Sequence, residues 1–181
     1  MRRIFLTFQR WALTGLILAS SVGLATSPVH AEDKDVRQIS ASAKFEKIKS
    51  LAGTWKRQDL DADTFIIEFD LIANNSVLVE TWIVRGKTHS LSVFHLDDDT
   101  IMATHYCPQG NQPRLTLTDT NDAGSLEFAF KDATNLPRFD QSHQHRLRLN
   151  LPTDTTPFTR SEMYLTGTDE KWSEIELERI K

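Results

Sequence analysis

Two residues with complementary chemistry, His105 and Cys107, stand two positions apart in the segment from Ile101 to Cys107. Because successive side chains of a β-strand point to opposite faces, a strand here would place both residues on one face and Tyr106 on the other. An imidazole beside a thiol can stabilise the thiolate and make it a nucleophile. A lone cysteine is more often a small buried apolar residue, and no oxyanion-hole motif accompanies this pair. Nucleophilic catalysis is therefore an alternative interpretation of the segment.

The histidines form a second group of candidates, since five of the six follow residue 31. His89 and His95 would share a face of one strand, and His143 and His145 a face of another. If these faces and that of His105 all pointed inward, several imidazoles could bind zinc, copper or haem iron. No short ligand spacing such as His-Glu-x-x-His occurs, so haem or metal binding is kept as a second alternative.

The spacing of apolar residues changes once along the chain, from the period of a helix to the period of two residues that is typical of a strand. Residues 35–49 carry apolar residues at helical spacing, and Gly53-Thr54-Trp55 ends that helix. From Phe65 onward, short segments of alternating polarity follow one another between turn signals, with no helical insertion. Successive hairpins favour a closed sheet, which has no exposed edge. The predicted fold is an all-β, antiparallel, up-and-down barrel of about 8–10 strands with a short N-terminal helix, which leaves room for one small ligand.

A polar loop would lie at one end of such a barrel. Pro113 holds Gln112 extended, and the glycine before Asn111 permits a left-handed turn. Gln112 and Arg114 could then hydrogen-bond the polar end of a ligand at the barrel mouth. Equally, the polar side chains of this loop could satisfy their own backbone. We expect Asn135, in the long connection that follows the next strand, near the same rim.

Two parts of the sequence resemble known barrels. A short helix followed by Gly53 and Trp55 is similar to the start of lipocalin-type barrels. In those folds the tryptophan plugs one end of the barrel, often under an arginine of the last strand. The resemblance assigns these structural roles to Gly53, Trp55 and Arg179, and a cation–π contact would suit the last two.

The longer match is the segment from Thr104 to Arg114, with His-Tyr-Cys-x-x-Gly-Asn-Gln-Pro-Arg inside it. Together with residues 95–97 and 132–136, it resembles a bacterial family of lipocalin-like (calycin-type) domains of unknown function. The resemblance covers most of residues 32–181 and implies a barrel with a cavity. The family brings no established reaction, so it implies no catalytic residue. Glu162-Met163-Tyr164 departs from the His-Glu-Trp-like segment expected there, so that strand is not expected to supply a histidine.

Residues 1–31 are predicted to be an export signal peptide. A basic start precedes an uncharged apolar stretch from Trp11 to Ala25, and Val29-His30-Ala31 is a small-x-small cleavage site. The stretch is shorter than the roughly 20 apolar residues of a permanent membrane span. Arg2-Arg3 resembles a twin-arginine signal, and the ordinary export route also remains open. We expect cleavage near Ala31 and a periplasmic or secreted single domain at residues 32–181.

Composition limits the partners of that domain. Residues 32–181 hold 18 basic and 25 acidic residues, a formal charge of −7. An acidic chain without a basic run is a poor candidate for binding nucleic acid or anionic lipid. Because Cys107 is the only cysteine, neither an intrachain disulfide nor a zinc site of several cysteines can form.

The predicted function is the binding of a small apolar or amphipathic molecule in the barrel of an exported protein. Burial of apolar ligand surface, at about 25 cal/mol per Å², would supply most of the affinity. The alternatives are a haem- or metal-binding barrel, an enzyme that uses His105 and Cys107, and a protein-interaction adaptor with a filled barrel. The sequence assigns no catalytic residue, metal ligand, cofactor or oligomeric state. The predicted ligand contacts are His105, Tyr106, Cys107, Asn111, Gln112, Arg114, Asn135 and His145.

Overall fold

The computed structural model describes residues 41–118 and 124–180, so the predicted signal peptide at residues 1–31 lies outside the described part. A short helix, α1 (residues 41–49), precedes ten antiparallel strands. The strands close into a barrel in which each pairs with its neighbours in sequence, and the first pairs with the last. The prediction of an all-β up-and-down barrel with a short helix before it is confirmed. Within the described residues, no helix is long and apolar enough to cross a membrane.

The strand bounds follow the alternating segments of the sequence closely. The largest differences are of three residues. The alternation predicts that β7 ends at Lys131, and it continues to Thr134 because its last residues pair with β6; the alternation predicts that β10 begins at Trp172, and it begins at Asp169. The strands are β1 (Gly53–Arg57), β2 (Phe65–Ile72), β3 (Val77–Val84), β4 (Lys87–Asp97), β5 (Thr100–Tyr106), β6 (Gln112–Leu117), β7 (Ser125–Thr134), β8 (His143–Asn150), β9 (Phe158–Thr166) and β10 (Asp169–Arg179).

The turn between β3 and β4 fixes the register of two strands that later position the candidate site. Arg85 and Gly86 have φ values of +50° and +74°. Two successive residues with positive φ make the type I′ turn, whose twist matches that of the flanking strands. Val84 therefore pairs directly with Lys87, and the register shifts once, after Trp82.

Aromatic side chains fill one end of the barrel. We call this group the aromatic floor: Trp55, Phe69, Phe94, Phe128 and Phe158, all buried. Ring centroids lie 5.1 Å apart for Trp55–Phe158, 6.0 Å for Phe69–Phe158 and 5.8 Å for Phe94–Phe128. Burial of each such side chain contributes about 1.5–3 kcal/mol, so the floor is a major part of the hydrophobic core.

α1 and the last strand meet at the floor. The indole Nε1 of Trp55 donates to the carbonyl of Leu51 at 2.7 Å, and Gly53 opens β1 with a φ of +132°, which favours glycine. The Arg179 guanidinium lies 4.3 Å from the Trp55 ring centroid and donates to the carbonyls of Ala52 and Ser50. Arg179 thus satisfies carbonyls that follow the end of α1, where a cation is also favourable for the helix dipole.

Candidate functional site

The interior of the barrel changes from apolar to charged along β9. Phe158 lies in the aromatic floor, and strand alternation places Arg160, Glu162 and Tyr164 on the same interior face, progressively farther from Trp55. Arg160 is only 1% exposed. A guanidinium at this depth must find all its hydrogen-bond partners inside the protein.

The partner of Arg160 is Glu80 of β3, which is fully buried. Arg160 Nε donates to Glu80 Oε1 at 2.6 Å, and Nη2 donates to Oε2 at 3.4 Å. Arg160 Nη1 donates to Glu162 Oε2 at 2.8 Å. Three strands separate β3 from β9 on the shorter way around the sheet, so the Glu80–Arg160 pair crosses the interior.

Two further side chains hold the carboxylates of this group in place. Trp82 Nε1 donates to Glu80 Oε1 at 2.9 Å, and its ring centroid lies 4.6 Å from the Arg160 guanidinium carbon. Gln144 Nε2 donates to Glu162 Oε2 at 2.9 Å. We call these five residues the ionic network: Glu80, Trp82, Gln144, Arg160 and Glu162.

The ionisation state of the network follows from its geometry. Burial opposes the charge on Glu162, but the charge and hydrogen bond of Arg160 outweigh it and lower the pKa of Glu162. Burial likewise opposes the charge on Arg160, and Glu80 and Glu162 outweigh it, so the pKa of Arg160 is raised. Glu80 only accepts hydrogen bonds, as an ionised carboxylate does. One cation thus faces two anions, which leaves the network with a net charge of −1.

A chain of neutral polar groups adjoins the network. His105 Nδ1 lies 3.1 Å from Ser92 Oγ, and His105 Nε2 lies 3.2 Å from the Tyr164 hydroxyl. The Cys107 Sγ lies 3.8 Å from the same hydroxyl. Burial, followed by the charge of Arg160, lowers the pKa of His105 to about 4, while burial and Glu162 raise the pKa of Tyr164. Both groups are therefore neutral at pH 7.

This arrangement weakens the interpretation of His105 and Cys107 as a nucleophilic pair. Both are buried on the predicted common face, but Tyr164 is the hydrogen-bond partner that each of them shares. A neutral imidazole also offers no positive charge to stabilise a thiolate. The geometry instead makes His105 and Cys107 part of a polar wall beside the ionic network.

Two predicted ligand contacts lie outside this interior region. Tyr106 is 49% exposed on the opposite face of β5 from His105. Arg114 is exposed and forms two hydrogen bonds to the carboxylate of Asp132 on neighbouring β7. The guanidinium inside the barrel is that of Arg160, and a ligand contact by Arg114 stays a prediction.

The loop after β5 mostly satisfies its own polar groups. Gln112 Nε2 and Asn135 Nδ2 both donate to the carbonyl of Gly110, at 2.9 and 2.5 Å. Asn111 Nδ2 donates to the carbonyl of Ser142 at 2.8 Å. These contacts match the second of the two interpretations given for this loop. Participation of these side chains in ligand binding stays a prediction.

The histidines are distributed over separate regions rather than around one centre. His105 lies beside the ionic network, His89 is exposed, and His95 bonds to the adjacent carbonyl of Leu96 at 2.9 Å. In the part of the chain that the structure describes, no three His, Cys, Asp or Glu side chains are grouped to hold a metal ion.

The remaining two histidines belong to an aromatic group where β7 and β8 separate. These strands pair only as far as Ala129, and β7 beyond it pairs with β6 alone. His143 Nε2 lies 3.2 Å from His145 Nδ1, and the His145 ring stacks on Phe130 at 5.3 Å. Phe139, which is 55% exposed, packs against His143 at 5.0 Å. Burial, then the charges of His143 and Arg146, lower the pKa of His145.

The sequence reasoning missed the whole ionic network, although a signal for it exists. Glu80 stands in phase with the apolar residues Leu78 and Trp82, and Arg160 and Glu162 stand in phase with Phe158. A charged residue at an apolar position of an alternating strand indicates a buried and paired charge.

No protein-family model matches this chain, and no curated protein matches it.

The first prediction concerns the stability that depends on Arg160. Arg160→Met leaves two carboxylates without a cation in the interior, so we expect a loss of about 3–5 kcal/mol in the free energy of unfolding. The control is Arg148→Met on β8, whose ion pair with Glu127 is partly solvated and is expected to contribute less than about 1 kcal/mol. Urea unfolding of both variants makes the measurement.

If Arg160→Met does not fold, its free energy of unfolding cannot be measured, so a double variant accompanies it. Glu80→Met combined with Arg160→Met removes both members of the cross-barrel pair and should recover part of the lost stability. Equal losses for the Arg148 and Arg160 variants would contradict the account.

The second prediction is a pH dependence of stability. The pKa of His105 is about 4 in the folded protein, whereas an unperturbed histidine, as in the unfolded chain, has a pKa of 6.5. As the pH falls from 6.5 towards 4, the unfolded chain takes up a proton that folded His105 does not, so stability is lost over this window, by at most roughly 3 kcal/mol. His105→Gln should flatten this slope, whereas His95→Gln should keep it. Urea unfolding between pH 4 and 7 that gave the same slope for both variants would refute the assignment.

Proposed function

We propose that this protein is an exported binding protein that holds a small amphipathic molecule within its barrel. The observation that supports this proposal is the ionic network. Replacement of a buried ion pair by apolar residues of similar volume is often neutral or stabilising. A barrel that only needed to be stable would therefore gain little from Glu80, Arg160 and Glu162 in its interior. Their presence supports a role in contacting a polar group.

The two halves of the interior suggest how such a molecule would lie. The aromatic floor is filled by its own side chains, so a ligand would occupy the region beyond it. There the ionic network offers charged groups, and Trp82 and Val84 are only partly buried apolar side chains. A ligand with a polar end and a short apolar body would match both features. The filled floor argues against a long apolar chain.

The proposal also includes the class of barrel and the compartment in which the protein acts. The ten-strand topology is compatible with a lipocalin-like barrel, and the segment from Thr104 to Arg114 supports the lipocalin-like (calycin-type) family. The leader pattern of residues 1–31 supports export to the periplasm or the medium. These features make a carrier or scavenger of small molecules outside the cytoplasm the function that we infer.

Native mass spectrometry tests this function. The full chain is expressed in a bacterial host that exports it, and the purified protein is weighed in its native and denatured states. We expect a denatured mass that corresponds to cleavage near Ala31 and a native excess mass of one small organic molecule, lost on denaturation. Arg148→Met should retain that mass, and Arg160→Met should lose it.

The other outcomes separate the alternatives. An excess that corresponds to haem or a metal ion would replace our proposal with the haem- or metal-binding interpretation. A native mass equal to the denatured mass, together with no change in melting temperature on addition of amphipathic compounds, would favour the filled-barrel adaptor. A denatured mass of the uncleaved chain would contradict export.

A further inference from the structure

We infer that the ligand of this barrel is a small amphiphile with a primary ammonium headgroup, which binds between Gln144 and Glu162. This inference rests on the proposed binding function and adds the chemical class of the ligand. It depends on the net charge of the ionic network and on the hydrogen-bonding groups that the network leaves unused.

Gln144 carries the first unused group. Its side chain is fully buried, and its Oε1 accepts no hydrogen bond from the residues that the structure describes. The orientation of the amide is fixed because Nε2 donates to Glu162 Oε2, and a flipped amide would place Oε1 against a carboxylate. A buried acceptor without a donor is unfavourable, and a ligand N–H group would satisfy it.

Glu162 provides the second unused group. The donors from Arg160 and Gln144 both bind Oε2, at 2.8 and 2.9 Å. Oε1 accepts no hydrogen bond within residues 41–118 and 124–180. The Glu162 side chain is 16% exposed, so it is the carboxylate of the network that a molecule from solvent can reach, whereas Glu80 is fully buried.

The negative net charge of the network argues against an anionic ligand, although two of the five N–H groups of Arg160 have no acceptor among the described residues. Arg160 directs Nε and Nη2 to Glu80 and Nη1 to Glu162. A carboxylate or phosphate ligand that bound the two remaining N–H groups would change the net charge of the interior from −1 to −2. A cation instead neutralises the interior, where charges are weakly screened.

An ammonium group fits this arrangement better than a larger cation. It has three N–H donors on a compact centre, and the Gln144 Oε1 and the Glu162 carboxylate are acceptors on neighbouring strands. A quaternary ammonium has no N–H to donate and would leave Gln144 Oε1 unsatisfied. Beside the headgroup, Trp82 and Val84 would contact a short apolar body.

Isothermal titration calorimetry on the purified full-length protein tests the headgroup with three probes of equal chain length: octylammonium, octanol and octanoate. We expect octylammonium to bind about 10- to 100-fold more tightly than octanol, since hydrogen bonds to charged groups are the stronger ones. No binding of octanoate is expected. Octyltrimethylammonium should bind more weakly than octylammonium.

Two variants locate the site. Gln144→Leu keeps every charge but removes the unused amide oxygen, and Glu162→Gln removes the accessible charge; each should weaken octylammonium binding about tenfold or more and leave octanol binding nearly unchanged. Glu127→Gln, an acidic residue paired with Arg148 on the outside of the sheet, is the matched control and should bind like the native protein.

The outcomes distinguish the inference from the function on which it rests. If octanoate or octanol binds as tightly as octylammonium, the ammonium assignment is wrong while the binding of amphiphiles stands. If octylammonium binds equally well to the native protein and to both site variants, its site lies elsewhere and the assignment is again wrong. If none of the probes binds and no mass is retained in the native spectrum, the proposed binding function fails as well.

Discussion

The ion pair between Glu80 and Arg160 is the contact on which the interior of this barrel depends. Its members lie on strands that are not neighbours, so the pair forms only when the sheet has closed with the correct register. Removal of two charges from water costs several kcal/mol per ion, and good geometry with additional hydrogen bonds must offset that cost. Here Trp82 and Glu162 provide those bonds, and Gln144 in turn donates to Glu162. The position of each of these side chains is therefore tied to the same cross-barrel contact.

Three arginines of the described residues lie over tryptophan rings, and two of them, Arg160 and Arg179, have partners that distinguish the polar end of the barrel from its structural end. Arg179 covers Trp55 and donates to backbone carbonyls that follow α1. Arg160 covers Trp82 and donates to carboxylates. The carbonyl partners belong to the backbone and help to close one end of the barrel. The carboxylate partners bring excess negative charge and unused acceptor atoms, so they give the interior a chemistry that a ligand could complete.

Much of the fold could be predicted from the sequence because strand alternation is a local property. The alternation in the sequence predicts strands over residues 77–84 and 158–166, which are the bounds of β3 and β9, and the common face of His105 and Cys107 follows from the same period. The alternation in β6 also bears on the direction of Arg114. Its neighbour Leu115 is buried, and Arg114 itself is exposed. Arg160 shares the phase of Phe158 on β9, but Arg57 and Arg179 also stand in phase with buried apolar residues of their strands, so alternation alone did not single out Arg160.

The pairing of those charges could not be predicted in the same way. Glu80 and Arg160 are 80 residues apart, and their contact depends on the stagger of the closed sheet, which no single strand encodes. Irregular pairing adds to the difficulty. The register of β8 against β9 shifts between Gln144 and Arg146. Because a shift of one residue exchanges the two faces of a strand, the position of Gln144 was not accessible from alternation alone.

The rate at which the Arg160 side chain exchanges its Nε–H with water reports on the cross-barrel ion pair. In a protein labelled with ¹⁵N, the Nε–H of Arg160 should give a resolved NMR signal that exchanges slowly with water, because it is buried and bound to Glu80. Glu80→Gln should shift that signal and speed its exchange, while Glu127→Gln should change neither. An Arg160 Nε–H that exchanges as fast as those of exposed arginines would show that the cross-barrel ion pair does not organise this interior.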